Sequence, residues 1–189
     1  MTTFNHSSAA SLEELAIRPA SFQDGLAIFN RIKAYPNELM PRPLSDIMLN
    51  IDRFLVAEDT HGELVGTISW SVLPELIHTK TPSVEIQSVS VREDWQRRKL
   101  GKMLVEAAIE RIKVLQPEQI VVLTFTPDFF AKFGFRRIAK ETIMHKLYLG
   151  CMNCTKYNSP FTCPEVAMAL TINPSISHPP NPKETPRDD

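Results

Sequence analysis

Residues Ser83 to Met103 read SVEIQSVSVREDWQRRKLGKM. The alternation of apolar and polar residues from Val84 to Val91 predicts a half-buried strand. A polar loop, Arg92 to Trp95, follows, and then the basic run Gln96-Arg97-Arg98-Lys99-Leu100-Gly101-Lys102. Leu100, Met103, Leu104, Ala107, Ala108 and Ile112 recur at helical spacing and predict a helix from Lys99 to Leu115, closed by Pro117. A strand, a basic turn and a helix start together suit an anionic ligand. The first N–H groups of a helix point outward, and its dipole favours negative charge there. Arg97, Arg98, Lys99 and Lys102 strengthen that field.

Outward from this stretch, periodicity predicts an α/β chain. Leu15 to Arg18 reads as a first strand. Ser21 is the N-cap of a helix reaching Tyr35, with Leu26, Phe29 and Ile32 on one face and Pro36 ending it. A second short helix is expected over Leu44 to Ile51. Strands are expected over Arg53 to Glu58 and Glu63 to Val72, joined by the turn Asp59-Thr60-His61-Gly62. After the long helix, Ile120 to Thr126 returns as a strand, and a short helix begins near Pro127. Strands are then expected through Ile138 and over Ile143 to Leu149, with a short helix from Pro164 to Leu170. The first 14 residues read as loose, and the Pro-rich end, Asn173 to Asp189, as disordered. The expected organisation is a domain over residues 15–149, a Cys-containing extension over 150–170 and a tail over 171–189.

A chain of 189 residues with 43% hydrophobic content suits one domain with a real core. A net charge of −1 argues against general attraction to nucleic acid or to an anionic membrane. No apolar run approaches the roughly 20 residues that span a bilayer. The start MTTFNHSSAASLEEL lacks the charged and apolar blocks of a secretory signal, so a cytoplasmic protein is expected. Cys151, Cys154 and Cys163 are an odd number, which argues against a disulfide framework. Their spacing suits either a zinc ion, with His145 as a fourth ligand, or three reduced thiols.

Gln96-x-x-Lys99-x-Gly101, placed after a strand ending Val89-Ser90-Val91, resembles the acetyl-coenzyme A signature of the Gcn5-related N-acetyltransferase (GNAT) superfamily. The family loop reads Gln/Arg-x-x-Gly-x-Gly/Ala, and Lys99 departs from its first glycine. The strand and helix ending Phe133-Gly134-Phe135 are similar to the second half of that fold. Pro41-Arg42-Pro43-Leu44-Ser45, together with the strands after it, resembles the acetyltransferase domain of N-acetylglutamate synthase. The resemblance spans Ile17 to Tyr148. It implies a mixed, mostly antiparallel sheet flanked by helices, with acetyl-CoA as cosubstrate.

The resemblance also assigns roles. Gln96, Arg97, Arg98, Lys99, Gly101 and Lys102 would hold the cofactor's phosphates, and the backbone of Val89 and Val91 its pantetheine arm. Glu85 matches the glutamate of an Ala-Glu-Leu pattern and would be the general base, as against a solvated residue on the strand's polar face. Phe130 stands where many members carry an acidic tyrosine. Thr124 is the substitute hydroxyl, or an ordinary strand residue. Arg42 would bind a substrate carboxylate, beside Ser88, or else be a solvated arginine. His61 and His145 read most simply as turn or surface histidines. The expected activity is acetyl transfer to a small amino acid, glutamate first, which would place the protein in arginine biosynthesis. The alternatives are acetylation of a protein amine or a polyamine, and a non-catalytic, zinc-stabilised acyl-CoA sensor. A small-molecule acceptor is the expected partner, and a homo-oligomer is allowed.

Overall fold

A computed structural model describes residues 15–73, 82–147, 151, 154 and 156–173. The expected loose start, and all but Asn173 of the expected disordered end, lie outside the described residues. Seven strands form one sheet in the order β1-β2-β3-β4-β5-β7-β6. They are β1 Ala16–Pro19, β2 Phe54–Glu58, β3 Leu64–Leu73, β4 Ser83–Val91, β5 Gln119–Thr124, β6 Arg136–Arg137 and β7 Val166–Thr171. Neighbours run antiparallel except β4 and β5, which are parallel. Parallel pairing demands a crossover, and the 14-residue helix α3, Leu100–Lys113, supplies it.

The expected strands and helices of the first 135 residues largely form, and α3 buries Leu100, Leu104, Val105, Ala108, Ile109 and Ile112. Ser21 opens the first helical segment, with a capping box to Asp24, and α1 follows over Gly25–Lys33. The buried face of α1 carries Ile28 and Ile32, whereas Leu26 is exposed, because packing against α2, Leu44–Leu49, selects the other stripe. Strand β4 is buried on both faces in its first half, which departs from the half-buried expectation.

Two expectations fail near the end of the chain. Ile143 to Lys146 does not continue as a strand: a 3₁₀ turn, Lys140–Ile143, runs into the short helix α5, Met144–Lys146, and Leu149 lies outside the described residues. The expected helix over Pro164 to Leu170 is instead strand β7. Val-Ala-Met-Ala-Leu-Thr tolerates either state, and the open edge of β5 supplies the hydrogen-bond partners that decide it.

The sheet has a helix layer on each face. Val84, Ile86, Val89 and Val91 pack with α3, while Phe54, Val56, Ile28 and Ile47 form a second core under α1 and α2. The apolar spacing on β4 is therefore two, three, two. The interval of three marks a β-bulge: Gln87 pairs with Ser69 and Ser90 with Thr67, so Ser88 and Val89 together face Ile68. Ser88 carries the left-handed backbone of that bulge, with φ 52°. Beyond Glu85↔Val121, β4 and β5 part.

Candidate active site

The separation of β4 and β5 makes a cleft at the centre of the sheet. On the α3 side, the predicted turn is held by side chains. Tyr35 Oη donates to the Val91 carbonyl at 2.6 Å, and Gln96 Nε2 donates to the same oxygen at 3.1 Å. The Gln96 side chain thus ties the turn to the end of β4. Arg97 and Lys99 both adopt left-handed backbone, with φ 61° and 66°. Lys99 is the N-cap of α3, so lysine takes here a left-handed conformation that glycine would adopt without strain. The Arg98 guanidinium lies 5.4 Å from the centre of the Trp95 ring. Lys102 is exposed and pairs with Glu106 at 3.5 Å.

Gly101 is half-buried in the first turn of α3. A Cβ added there would meet Phe129 at 3.6 Å and Val91 at 3.8 Å, which is ordinary contact. Internal packing therefore does not require glycine at this position. The free N–H groups of a long helix, an uncovered glycine and exposed Arg97, Lys99 and Lys102 fit the diphosphate of acetyl-CoA. Val89 and Val91 turn their side chains towards the α3 core and lie beyond the last β4–β5 pair, and the Val91 carbonyl is taken by Tyr35 and Gln96.

On the opposite face lies a cavity of about 570 Å³ lined by Arg42, Glu85, Gln87, Ser88, Lys146 and Glu165 among others. Glu85 is only 3% exposed, so it is no solvated strand residue. Lys146 Nζ sits 2.8 Å from Glu85 Oε2, and the Gln87 side-chain amide donates to the same oxygen. Arg42 donates from Nε to Asp46 at 2.6 Å and from Nη1 to Ser69 Oγ at 3.0 Å, and its guanidinium lies 5.0 Å from the Phe54 ring centre. It is a clamped, largely buried arginine. Glu85, Ser88 and Arg42 thus line one cavity.

Thr124 does not join them. It lines no part of this cavity, and its hydroxyl bonds the Thr126 hydroxyl at 3.2 Å and accepts from the Thr126 N–H at 3.0 Å, shaping the turn into helix α4, Pro127–Ala131.

The cysteines lie closer to the chemistry than their place in the sequence suggests, since Cys151, Cys154 and Cys163 all line the cavity. Yet among the described residues no three His, Cys, Asp or Glu side chains form a group able to hold a metal ion. Cys154 Sγ lies against Met40 Sδ at 3.8 Å, and Cys163 Sγ donates to Glu165 Oε2 at 3.5 Å. Burial pushes the thiols of Cys151 and Cys163 upward, which keeps them protonated and poor nucleophiles at neutral pH. His145 is buried and not a surface group, whereas His61 is exposed in its turn.

The segment carrying these cysteines walls the cavity. Lys156 Nζ donates to the Leu39 carbonyl at 2.8 Å on one side, and Lys140 Nζ to the carbonyls of Pro160 and Cys163 at 2.8 and 2.6 Å on the other. Sequence reasoning missed Lys146, Gln87 and Glu165. Gln87 was findable, two residues from Glu85 on the same face; the other two arrive through tertiary pairing.

Residues 50–137 match the family model described as an acetyltransferase (GNAT) domain. An uncharacterised N-acetyltransferase of Chlorobaculum tepidum is 28% identical over 161 residues, covering 84% of this chain and 97% of that protein. An amino-acid acetyltransferase of Mycobacterium tuberculosis is 29% identical over 139 residues, covering 70% and 74%. In fold, the chain is similar to a Mycobacterium tuberculosis protein in complex with CoA and NLQ, with TM-score 0.67, 24% identity and coverage of 82% of this chain and 98% of that one. It is also similar to the N-acetylglutamate synthase of Neisseria gonorrhoeae, complexed with coenzyme A and N-acetyl-glutamate, with TM-score 0.67, 18% identity and coverage of 84% and 35%. The split sheet and the basic turn accompany this match: residues 50–137 resemble a GNAT acetyltransferase domain, and the chain shares the fold of the solved structures.

Proposed function

We propose that the protein moves an acetyl group from acetyl-CoA to the α-amine of a small amino acid, with L-glutamate the first acceptor to try. The observation that carries this reading is the cavity itself: a buried carboxylate, Glu85, and a clamped guanidinium, Arg42, share one chamber where β4 leaves β5. Acetyl-CoA bound at the turn would supply an activated acyl thioester. The chain's own residues do the rest. Arg42 binds the acceptor carboxylate through charge-assisted hydrogen bonds. Glu85 takes a proton from the acceptor ammonium, directly or through one water. The freed nitrogen bonds the acetyl carbon, the carbon–sulfur bond breaks, and the thiol departs with the amine's remaining surplus proton.

The amino-acid acetyltransferase relative supports this acceptor class. A place in arginine biosynthesis follows only if glutamate is the acceptor. The test is a thiol-release screen of amino acids and polyamines. Glu85→Gln should depress kcat by about a hundredfold while leaving acetyl-CoA affinity intact. Unchanged turnover at neutral pH removes the base assignment. For Arg42→Ala, the KM of a carboxylate-bearing acceptor should rise with little change for acetyl-CoA.

A further inference from the structure

Two carboxylates line the acceptor cavity, and they are held differently. Glu85 Oε2 is engaged by Lys146 at 2.8 Å and by the Gln87 amide. Glu165 is the residue before β7, whose Val166 pairs with Thr124, so it stands at the end of β5 next to Phe125. Its Oε2 accepts from the Cys163 thiol at 3.5 Å, a weak donor.

The titratable groups Cys163, Lys146, Glu85, Lys140 and Cys151 lie near enough to Glu165 to act on it. Lys146 is tied to Glu85, and Lys140 is tied to two backbone carbonyls. Glu85 adds repulsion. Burial, with that repulsion, holds the Glu165 carboxyl above the ordinary carboxylate range despite the Cys163 hydrogen bond and the two cations. A half-buried acid whose charge its neighbours under-compensate is a favourable place for an incoming cation.

We propose that Glu165 binds the acceptor's ammonium group beside Glu85 and so selects amine-bearing acceptors. This rests on the acetyltransferase reading above. The acceptor class that fits is zwitterionic, with its ammonium between Glu165 and Glu85 and its carboxylate towards Arg42. Cys163 steadies the Glu165 carboxylate from behind. Glu165 is then a specificity residue, and Glu85 keeps the proton transfer.

The test uses the full chain, acetyl-CoA, and a panel of the common amino acids plus spermidine, read by thiol release. For the best acceptor, Glu165→Gln should raise KM about tenfold or more, the loss of one charge-assisted contact. Inhibition by the matching des-amino acid, glutarate where glutamate is the acceptor, should stay within about twofold, as should the KM for acetyl-CoA. Glu165→Asp should restore part of the acceptor affinity. An unchanged acceptor KM in Glu165→Gln overturns the proposal while leaving the enzyme reading intact. So does a parallel weakening of acceptor and des-amino inhibitor, which marks a purely structural role. A wild-type protein that acetylates no amine in the panel overturns both.

Discussion

Lys146 Nζ lies 2.8 Å from Glu85 Oε2, with both side chains almost withdrawn from solvent. The pair joins α5 to the middle of β4, and it places a cation against the carboxylate assigned to proton transfer. Removing one partner of such a pair strands the other charge in a poorly solvated site. Lys146→Met should therefore cost about 3 kcal/mol of folding stability, and Glu85→Gln made with it should recover a good part of that loss. Urea unfolding of both single variants and the double variant checks this. Additive losses would mean that the two charges do not depend on each other.

Lys99 bends the basic turn before α3 through left-handed backbone, which costs an L-residue about 1–2 kcal/mol. Glycine avoids that strain but loses more chain entropy on folding. Lys99→Gly should thus stabilise the fold by up to about 1 kcal/mol, and acetyl-CoA should still bind because the backbone N–H is retained. The urea midpoint and a calorimetric titration measure the two effects separately.

Gly101 has room for a methyl group in the free protein. Gly101→Ala should leave thermal stability without ligand nearly unchanged, and α3 even gains a better helix former. Affinity for coenzyme A should fall by about tenfold or more, as the methyl group occupies the approach to the diphosphate. A melt with and without saturating coenzyme A separates the outcomes. An unchanged ligand-induced shift would place the diphosphate elsewhere.

The N-terminal edge of the sheet carries an acid-sensitive contact. Arg18 reaches Asp24 at 2.8 Å and also pairs with Glu58. Its hydrogen bond holds the Asp24 carboxyl down at about 2, aided by the Ser21 backbone and hydroxyl. A carboxyl depressed on folding stabilises the native state above its unfolded pKa, near 4, and loses that contribution as pH falls through about 2. Solvent screening at this partly exposed site reduces the worth of the contact to about 1 kcal/mol. Asp24→Asn should therefore be less stable than wild type at pH 7, and the difference should shrink towards zero as pH falls below about 2. Chemical denaturation at both pH values checks the convergence.

Much of the site could be read from the chain. The apolar positions 84, 86, 89 and 91 contain the bulge as an interval of three, although strict alternation hid it. The basic turn and the amphipathic α3 fell within one or two residues of their predicted ends, because local hydrogen bonding and periodicity fix them. Arg42 and Glu85 came from the family resemblance, since local pattern alone reads both as solvated residues, and burial sets them apart from the surface.

Other parts were not legible. Residues 166–171 have no strong preference between helix and strand, and the vacant edge beside β5 settles their state. Lys146 sits in a turn whose sequence reads as a strand, and nothing local announces that its ammonium reaches β4. Thr124 was placed correctly on β5, but which way its hydroxyl points depends on the turn that follows.

The amino-acid order alone determined a strand, a cationic bend and a long helix, since these depend on neighbours a few residues apart. Only the folded chain decided which charges meet. Glu85, Lys146 and Glu165 come from three distant segments, and their shared cavity exists because a parallel pair of strands separates and a late strand closes the sheet beside it. Electrostatic partnership depends on distance in space and on burial, and neither is encoded at the residue where its effect is felt.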